Sequence, residues 1–356
     1  MTADPVLTLA WLILAHLVAD FVLQTNGVVA AKTARGPRAL RGFVDHAAGV
    51  AVCLVPVALA FGGPGFVVLV AIVLSHVVID RLKIVTTRRT EAAALAESRR
   101  QREGAAPAAG LGRAWTPAPA AWFILDQLAH LAVIWLAWAI WLAGTAPTAG
   151  WATAVGSITA GSDPTVVHEA ILAFVVVTAL LIANVRGGAI FVATLVRPLE
   201  VGDELIGHAT EGEGDAAGAG DSSETGTRRG GPSAGPLAAA GHGWSIRIGP
   251  LTGRVVADPP SATDSAGDGQ VAGARVASPP PARVGATIGV LERLLIVTFV
   301  LVGAESAIGL VVAAKTIARF RQLDDRDFAE YYLLGTLASV SVAIVTALVA
   351  RAALNA

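Results

Sequence analysis

The sequence predicts an all-α fold: a polytopic helical bundle in a membrane, with about 6–8 membrane segments and one long disordered polar insert. Three observations carry that reading. The chain of 356 residues is 54% hydrophobic and only 15% charged, against about 25% charged in soluble domains. It contains several runs of roughly 20 apolar residues, the length that crosses a bilayer. Residues 200–285 instead abound in Gly, Ala, Ser, Pro, Asp and Glu, too polar to bury a core. A net charge of -1 gives no case for nucleic-acid binding. The single cysteine, Cys53, excludes an intrachain disulfide and a cysteine zinc cluster, and reads as a small buried hydrophobe.

The first span is about Val6–Leu23. It lacks a basic leader and holds His16 and Asp20, so it reads as a retained span rather than a signal peptide. Lys32, Arg35, Arg38 and Arg41 follow with no acid before Asp45, which sets this loop in the cytoplasm and the N-terminus outside. Span two, about Phe43–Phe61, leads out to the turn signal Gly62-Gly63-Pro64-Gly65. Span three, about Phe66–Leu82, returns to a second basic stretch that begins with Lys83, Arg88 and Arg89, and in which Glu91–Glu103 reads as a short surface helix. Span four, about Pro119–Ala143, carries Trp135, Trp138 and Trp141 toward its outer end, where interfacial aromatics belong.

Gly144–Pro164 has no basic residue and suits an outside loop. Span five, about Val166–Ala183, ends at Arg186, with His168-Glu169 as a cap at its outer start. The next run, GGAIFVATLVRPL, is too short to span alone and reads as re-entrant or interfacial. Inside the insert, Trp244–Val256 alternates enough for a small hairpin, and His208 and His242 read as solvated. Ile288–Ile317 is one long helix or two broken near Gly303, and Phe328–Leu354 is a final span. Glu292-Arg293 reads as an interfacial ion pair. Two topologies stay open: the short run crosses the membrane, or Ile288–Ile317 is a hairpin with both ends inside. The chain thus divides into 1–143, four helices; 144–199, a further span and the short run; 200–285, the insert; and 286–356, C-terminal membrane helices. Arginine outnumbers lysine and alanine and glycine abound, which points to a GC-rich bacterial genome and so to a bacterial cytoplasmic (inner) membrane.

The chemistry concentrates in 1–143. His16 and Asp20, His76 and Asp80, and Asp126 and His130 are each four residues apart, which places both members on one helix face about 6 Å apart along the axis. Spans one and three run inward with His first; span four runs outward with Asp first. Each aspartate therefore lies nearer the cytoplasm and each histidine one turn deeper. Span two adds Asp45-His46 at a similar level. Charged groups inside membrane helices are costly and usually functional. Imidazole and carboxylate suit zinc, iron or manganese, and carboxylates and histidines from several helices build di-metal bundles. A proton relay or ion path would use the same groups. Gln24 and Gln127 are expected to lend hydrogen bonds, and Lys83 and Arg81 to snorkel to headgroups.

The segments HLVADFVLQ, SHVVIDRLK and FILDQLAH, with His46 between the first two, resemble the bacterial membrane proteins grouped as domain of unknown function 3307. The resemblance covers roughly Leu7–Leu142 and falls on His16, Asp20, Gln24, His46, His76, Asp80, Lys83, Asp126, Gln127 and His130. IGVLERLL, AAKTIARF and EYYLLGTLAS look like the C-terminal region of longer members. The family name implies no activity. A looser similarity of pattern links the chain to membrane-bound metal-dependent hydrolases that place His and Asp on short helices.

The functional expectation is a membrane enzyme, a metal-dependent hydrolase acting at the cytoplasmic leaflet on a lipid or headgroup. His16, Asp20, His46, His76, Asp80, Asp126 and His130 are the candidate metal ligands. Asp80, Asp126 and Lys83 are the candidate catalytic groups, a carboxylate as base and Lys83 or Arg81 steadying an anion. The alternatives are a metal-ion or proton-coupled transporter, or an assembly protein with 200–285 as a partner-binding arm.

Overall fold

Short polar side chains and prolines set where the helices begin. In the computed structural model, which describes residues 4–103, 115–197, 244–248, 251–255 and 281–355, Asp4 caps the first helix, α1 (Pro5–Val18). Its carboxylate accepts from the Val6 amide at 2.8 Å, with Pro5 in the first turn. A π-helical turn, Ala19–Leu23, continues α1. Thr25 caps the seven-residue α2 (Asn26–Lys32). Then come α3 (Pro37–Phe61) and α4 (Gly63–Glu103), separated by Gly62 at φ 61°. α5 (Ala118–Ala137) runs into a second π turn, Trp138–Leu142. α6 (Ala149–Ile158) follows, then α7 (Pro164–Ile182), which passes through a third π turn, Ala183–Gly187, into α8 (Gly188–Val196). The C-terminal helices are α9 (Pro281–Leu301), α10 (Ala307–Ala318) and α11 (Arg326–Leu354).

Among the described residues, six stretches are long and apolar enough to cross a membrane: Pro5–Leu23, Pro37–Phe61, Gly63–Glu97, Ala118–Leu142, Pro164–Val196 and Phe328–Leu354. The chain is a polytopic α-helical membrane bundle, as its sequence predicts. Leu40, Leu74, Val78, Phe174 and Leu310 are exposed on it, which suits a surface solvated by lipid tails.

Several local expectations need correction. α4 does not stop near Leu82; Glu91–Glu103 is its continuation and not a separate surface helix. Gly144–Pro164 is more than a loop, since it contains α6. GGAIFVATLV is neither re-entrant nor separate, because the π turn keeps α7 and α8 in one apolar stretch. Ile288–Ile317 is broken: Gly303 takes φ 75°, open to glycine without steric cost, and α10 returns until Lys315 Nζ lies 2.5 Å from Glu292 Oε2. α9 and α10 thus form a helical hairpin. The predicted strands form as β1 (Trp244–Ile248) and β2 (Leu251–Val255), antiparallel with Trp244 opposite Val255, in a unit separate from the helices. The end of the predicted insert, 281–285, is already helical as the start of α9, and its remaining residues, with His208 and His242, lie outside the described residues.

Two apolar clusters hold the helices together. Leu12, Val50, Leu54, Val68, Ile72 and Ile134 join α1, α3, α4 and α5. Val176, Leu180, Ile296, Val300, Ala343 and Ala347 join α7, α9 and α11. Cys53 is partly buried against the first cluster. Close approach of α2 to α3 depends on Gly42, where a Cβ would sit 2.5 Å from the Lys32 backbone nitrogen. That contact fixes where Lys32 points.

Candidate metal centre

Four of the spans deliver their polar groups to one buried layer. His16, His46, His76, Asp80, Asp126 and His130 are all at most 4% exposed, and the Asp20 side chain is 7% exposed. The inward periodicity of each His/Asp pair places them there, as four-residue spacing requires. Asp20 sits on the first π turn, a feature that recurs at functional sites.

The centre of the layer is a triangle of candidate ligand atoms. His46 Nε2 and His76 Nε2 are 2.9 Å apart; His76 Nε2 is 2.9 Å and His46 Nε2 3.3 Å from Asp20 Oδ1. Asp80 Oδ2 adds a fourth atom 3.4 Å from His46 Nε2. Metal–ligand bonds of about 2.0–2.1 Å at tetrahedral to right angles give ligand–ligand edges of about 2.9–3.4 Å. The short contact from His76 to Asp20 Oδ1 lacks hydrogen-bond alignment, and that oxygen has no donor.

The remaining groups flank this triangle. His130 Nδ1 donates to the Asp126 backbone carbonyl at 2.8 Å, which leaves its Nε2 lone pair free and buried. The His130 ring lies 4.0 Å from the His76 ring and 4.9 Å from the His16 ring, centroid to centroid. His16 Nε2 is 3.3 Å from Gln127 Oε1, while Gln127 Nε2 donates to Asp126 Oδ2 at 3.0 Å and Asp20 Oδ2 at 3.4 Å. Among the described residues, three sets have candidate ligand atoms within 4.8 Å of one another: His16, Asp20 and His76; His46, His76 and Asp80; Asp80, Asp126 and His130.

Two lysines complete the layer. Lys83 Nζ donates to Asp126 Oδ2 at 2.8 Å and lies 5.0 Å from the Phe123 ring centroid, so it is bound in the layer and does not simply snorkel. Its side chain is 29% exposed, against 1% for Asp126, so Lys83 reaches from the layer toward the exterior. Lys32 was assigned by its sequence to a basic loop; it is buried instead and donates to Asp80 Oδ2 at 2.6 Å. Its place at the end of the apolar run VVAAK was the only signal setting it apart from Arg35, Arg38 and Arg41. Three carboxylates (Asp20, Asp80 and Asp126) thus face two ammonium groups. With neutral imidazoles one negative charge is in excess, and Asp20 is the carboxylate without an ammonium partner.

Other expected members lie elsewhere. Asp45 is exposed, turned away from the layer that His46 enters. Gln24 makes no side-chain hydrogen bond among the described residues, and Arg81 is exposed. His168 pairs with Asp4 at 2.7 Å, while Asp163 caps that helix. Glu292 and Arg293 do not pair with each other: Glu292 takes Lys315, and Arg293 bonds to Asn184 O and Ser339 Oγ.

Beyond the histidines the buried lining of the bundle is apolar. Ala15 and Leu12 on α1, Val50 and Leu54 on α3, Ile72 and Val68 on α4, and Ile134 on α5 are buried on the far side of the layer. No curated protein and no solved structure matches the chain. The model of the family described as Protein of unknown function (DUF3307) matches residues 8–158, a stretch that contains every candidate ligand and bears out the resemblance carried by the His/Asp segments.

Proposed function

We propose that the protein holds a divalent metal ion in the His/Asp layer and uses it for hydrolysis at one face of a bacterial cytoplasmic membrane, with the N-terminus outside. The observation that carries this reading is the triangle of His46 Nε2, His76 Nε2 and Asp20 Oδ1, with edges of 2.9, 2.9 and 3.3 Å. One imidazole Nε2 donates to the other across the 2.9 Å edge, while Asp20 Oδ1 is left without a donor and one negative charge stays in surplus. A cation relieves both problems. Nitrogen and oxygen ligands suit zinc, manganese or iron.

A bound metal would lower the pKa of a coordinated water toward neutrality. The chain supplies the rest. His130 offers a free Nε2 and Asp126 a free Oδ1 beside the triangle, so Asp126 is the proposed proton acceptor. Lys83 holds Asp126 in place and is positioned at the exposed edge to meet an anionic group. Asp80, held by Lys32, takes the ligand role that leaves Asp126 free for the proton. The apolar packing beyond the histidines supports a site open to one face, and weighs against a through-path for ions.

Metal content of detergent-purified protein, measured by inductively coupled plasma mass spectrometry, tests the reading. The wild type is expected to carry close to one or two ions per chain, and His76→Ala/Asp80→Ala close to none, with unchanged elution on size exclusion. A metal-free wild type that stays folded in the presence of added zinc, manganese and iron sinks the proposal.

A further inference from the structure

Val77 and Arg81 are one position along α4 from His76 and Asp80, and so lie on the neighbouring face of that helix. They help to line a pocket of about 510 Å³ beside the loop that joins α2 to α3. Arg35, Arg81 and Arg88 all border it, and no acidic residue does. None of the three guanidinium groups has a carboxylate partner among the described residues. Arg88 donates to the Thr33 carbonyl, which ties the α2–α3 loop to α4. Beneath this rim the lining is apolar, with Phe43 buried, Val77 half-buried and Leu40 exposed.

We infer that this pocket binds an anionic phospholipid of the adjacent leaflet. Guanidinium groups match phosphate oxygens in a planar fork. Three of them without acidic partners select a net negative headgroup over a zwitterionic one. The apolar lining then distinguishes a lipid from a free anion: Leu40, Phe43 and Val77 give an acyl chain a wall on which inorganic phosphate has no purchase. Basic pockets between membrane helices on the positively charged side recognise anionic headgroups in this way. No candidate metal ligand lines the pocket, so the inference stands independently of the metal centre.

The experiment is native mass spectrometry of the full chain released from mixed micelles with equal phosphatidylglycerol and phosphatidylcholine. The wild type is expected to retain phosphatidylglycerol about tenfold over phosphatidylcholine. Arg35→Gln/Arg81→Gln/Arg88→Gln is expected to lose that preference. Arg38→Gln/Arg41→Gln/Arg89→Gln removes the same charge from exposed arginines outside the pocket and is expected to keep it. Equal loss in both triple variants would mean diffuse surface attraction and overturn the pocket. Displacement of the lipid by millimolar inorganic phosphate would overturn the lipid assignment, as would a wild type without preference. If the pocket variant does not fold, Arg35→Gln alone, on an exposed loop side chain, must still weaken retention; no change there refutes the inference.

Discussion

The His/Asp layer and the Arg293 cluster are both polar interiors built beside a π-helical turn, with Asp20 on the first such turn and Asn184 on the third. Their hydrogen bonding differs in kind. In the C-terminal cluster, Asn184 Nδ2 donates to Leu180 O at 2.9 Å and Thr346 Oγ1 at 3.0 Å. Arg293 donates from Nε to Asn184 O at 2.8 Å and from Nη1 to Ser339 Oγ at 3.1 Å. The atoms left over there include a donor, Arg293 Nη2, and an acceptor, Asn184 Oδ1. In the N-terminal layer the atoms left over are His16 Nδ1, His76 Nδ1, His130 Nε2, Asp20 Oδ1 and Asp126 Oδ1. Every one of these can present a lone pair. The surplus charges also have opposite sign, a carboxylate in the layer and a guanidinium in the cluster, and among the described residues Arg293 bonds to neutral oxygens. The C-terminal cluster thus leaves a donor and an acceptor, whereas the N-terminal layer leaves carboxylate oxygens and imidazole nitrogens together with a surplus negative charge.

Asp20→Asn should break the comparison most severely. It removes the carboxylate without an ammonium partner and one corner of the triangle. Metal content is expected to fall from near stoichiometric to near zero, read on the same instrument as above. If metal stays, the triangle is a hydrogen-bond network and the two interiors do not differ in kind. Arg293→Ala tests the other side. It leaves the Asn184 carbonyl and Ser339 hydroxyl without their donor and opens a cavity, so a loss of about 2–4 kcal/mol is expected. Thermal unfolding in detergent should show that loss while metal content stays at the wild-type level.

Gly42→Ala probes the lysine that the layer takes from outside its four main helices. The added Cβ would meet the Lys32 backbone nitrogen at 2.5 Å and Ala31 Cβ at 2.7 Å, so α2 must shift. Overpacking of this kind costs about 1–3 kcal/mol, although alanine favours the helix by roughly 1 kcal/mol. A net drop in melting temperature is expected, together with altered metal affinity as Lys32 leaves Asp80. An unchanged affinity would mean that Lys32 has no part in the site.

These substitutions also mark where sequence reasoning succeeds. The three His/Asp pairs were legible because four-residue spacing and the reversal of order with helix direction both follow from helix geometry. His46 could be placed by level alone. Lys32 was not legible, because its role depends on α2 docking at Gly42, a contact between backbones that leaves no mark in composition. The fifth span was underestimated for a similar reason. Arg186 looks like a terminus, yet its Nε donates to the Phe21 carbonyl at 3.1 Å and the chain carries on to Val196. An apolar run tells how much of a helix lipid can accept, and tertiary hydrogen bonds decide where a basic residue inside it is tolerated.

The finest test of the comparison is Gln127→Ala. Gln127 touches both sides of the layer, accepting from His16 and donating to Asp20 and Asp126. In a plain hydrogen-bond network its loss costs about 1 kcal/mol and nothing more. Beside a metal its role is to orient ligands, and removal of such outer partners weakens metal binding by about 10–100-fold. Chelator competition separates the two: the variant is expected to fill at saturating metal and to release the ion at correspondingly lower chelator concentration. A drop in melting temperature with unchanged chelator sensitivity would move the N-terminal layer into the same class as the Arg293 cluster.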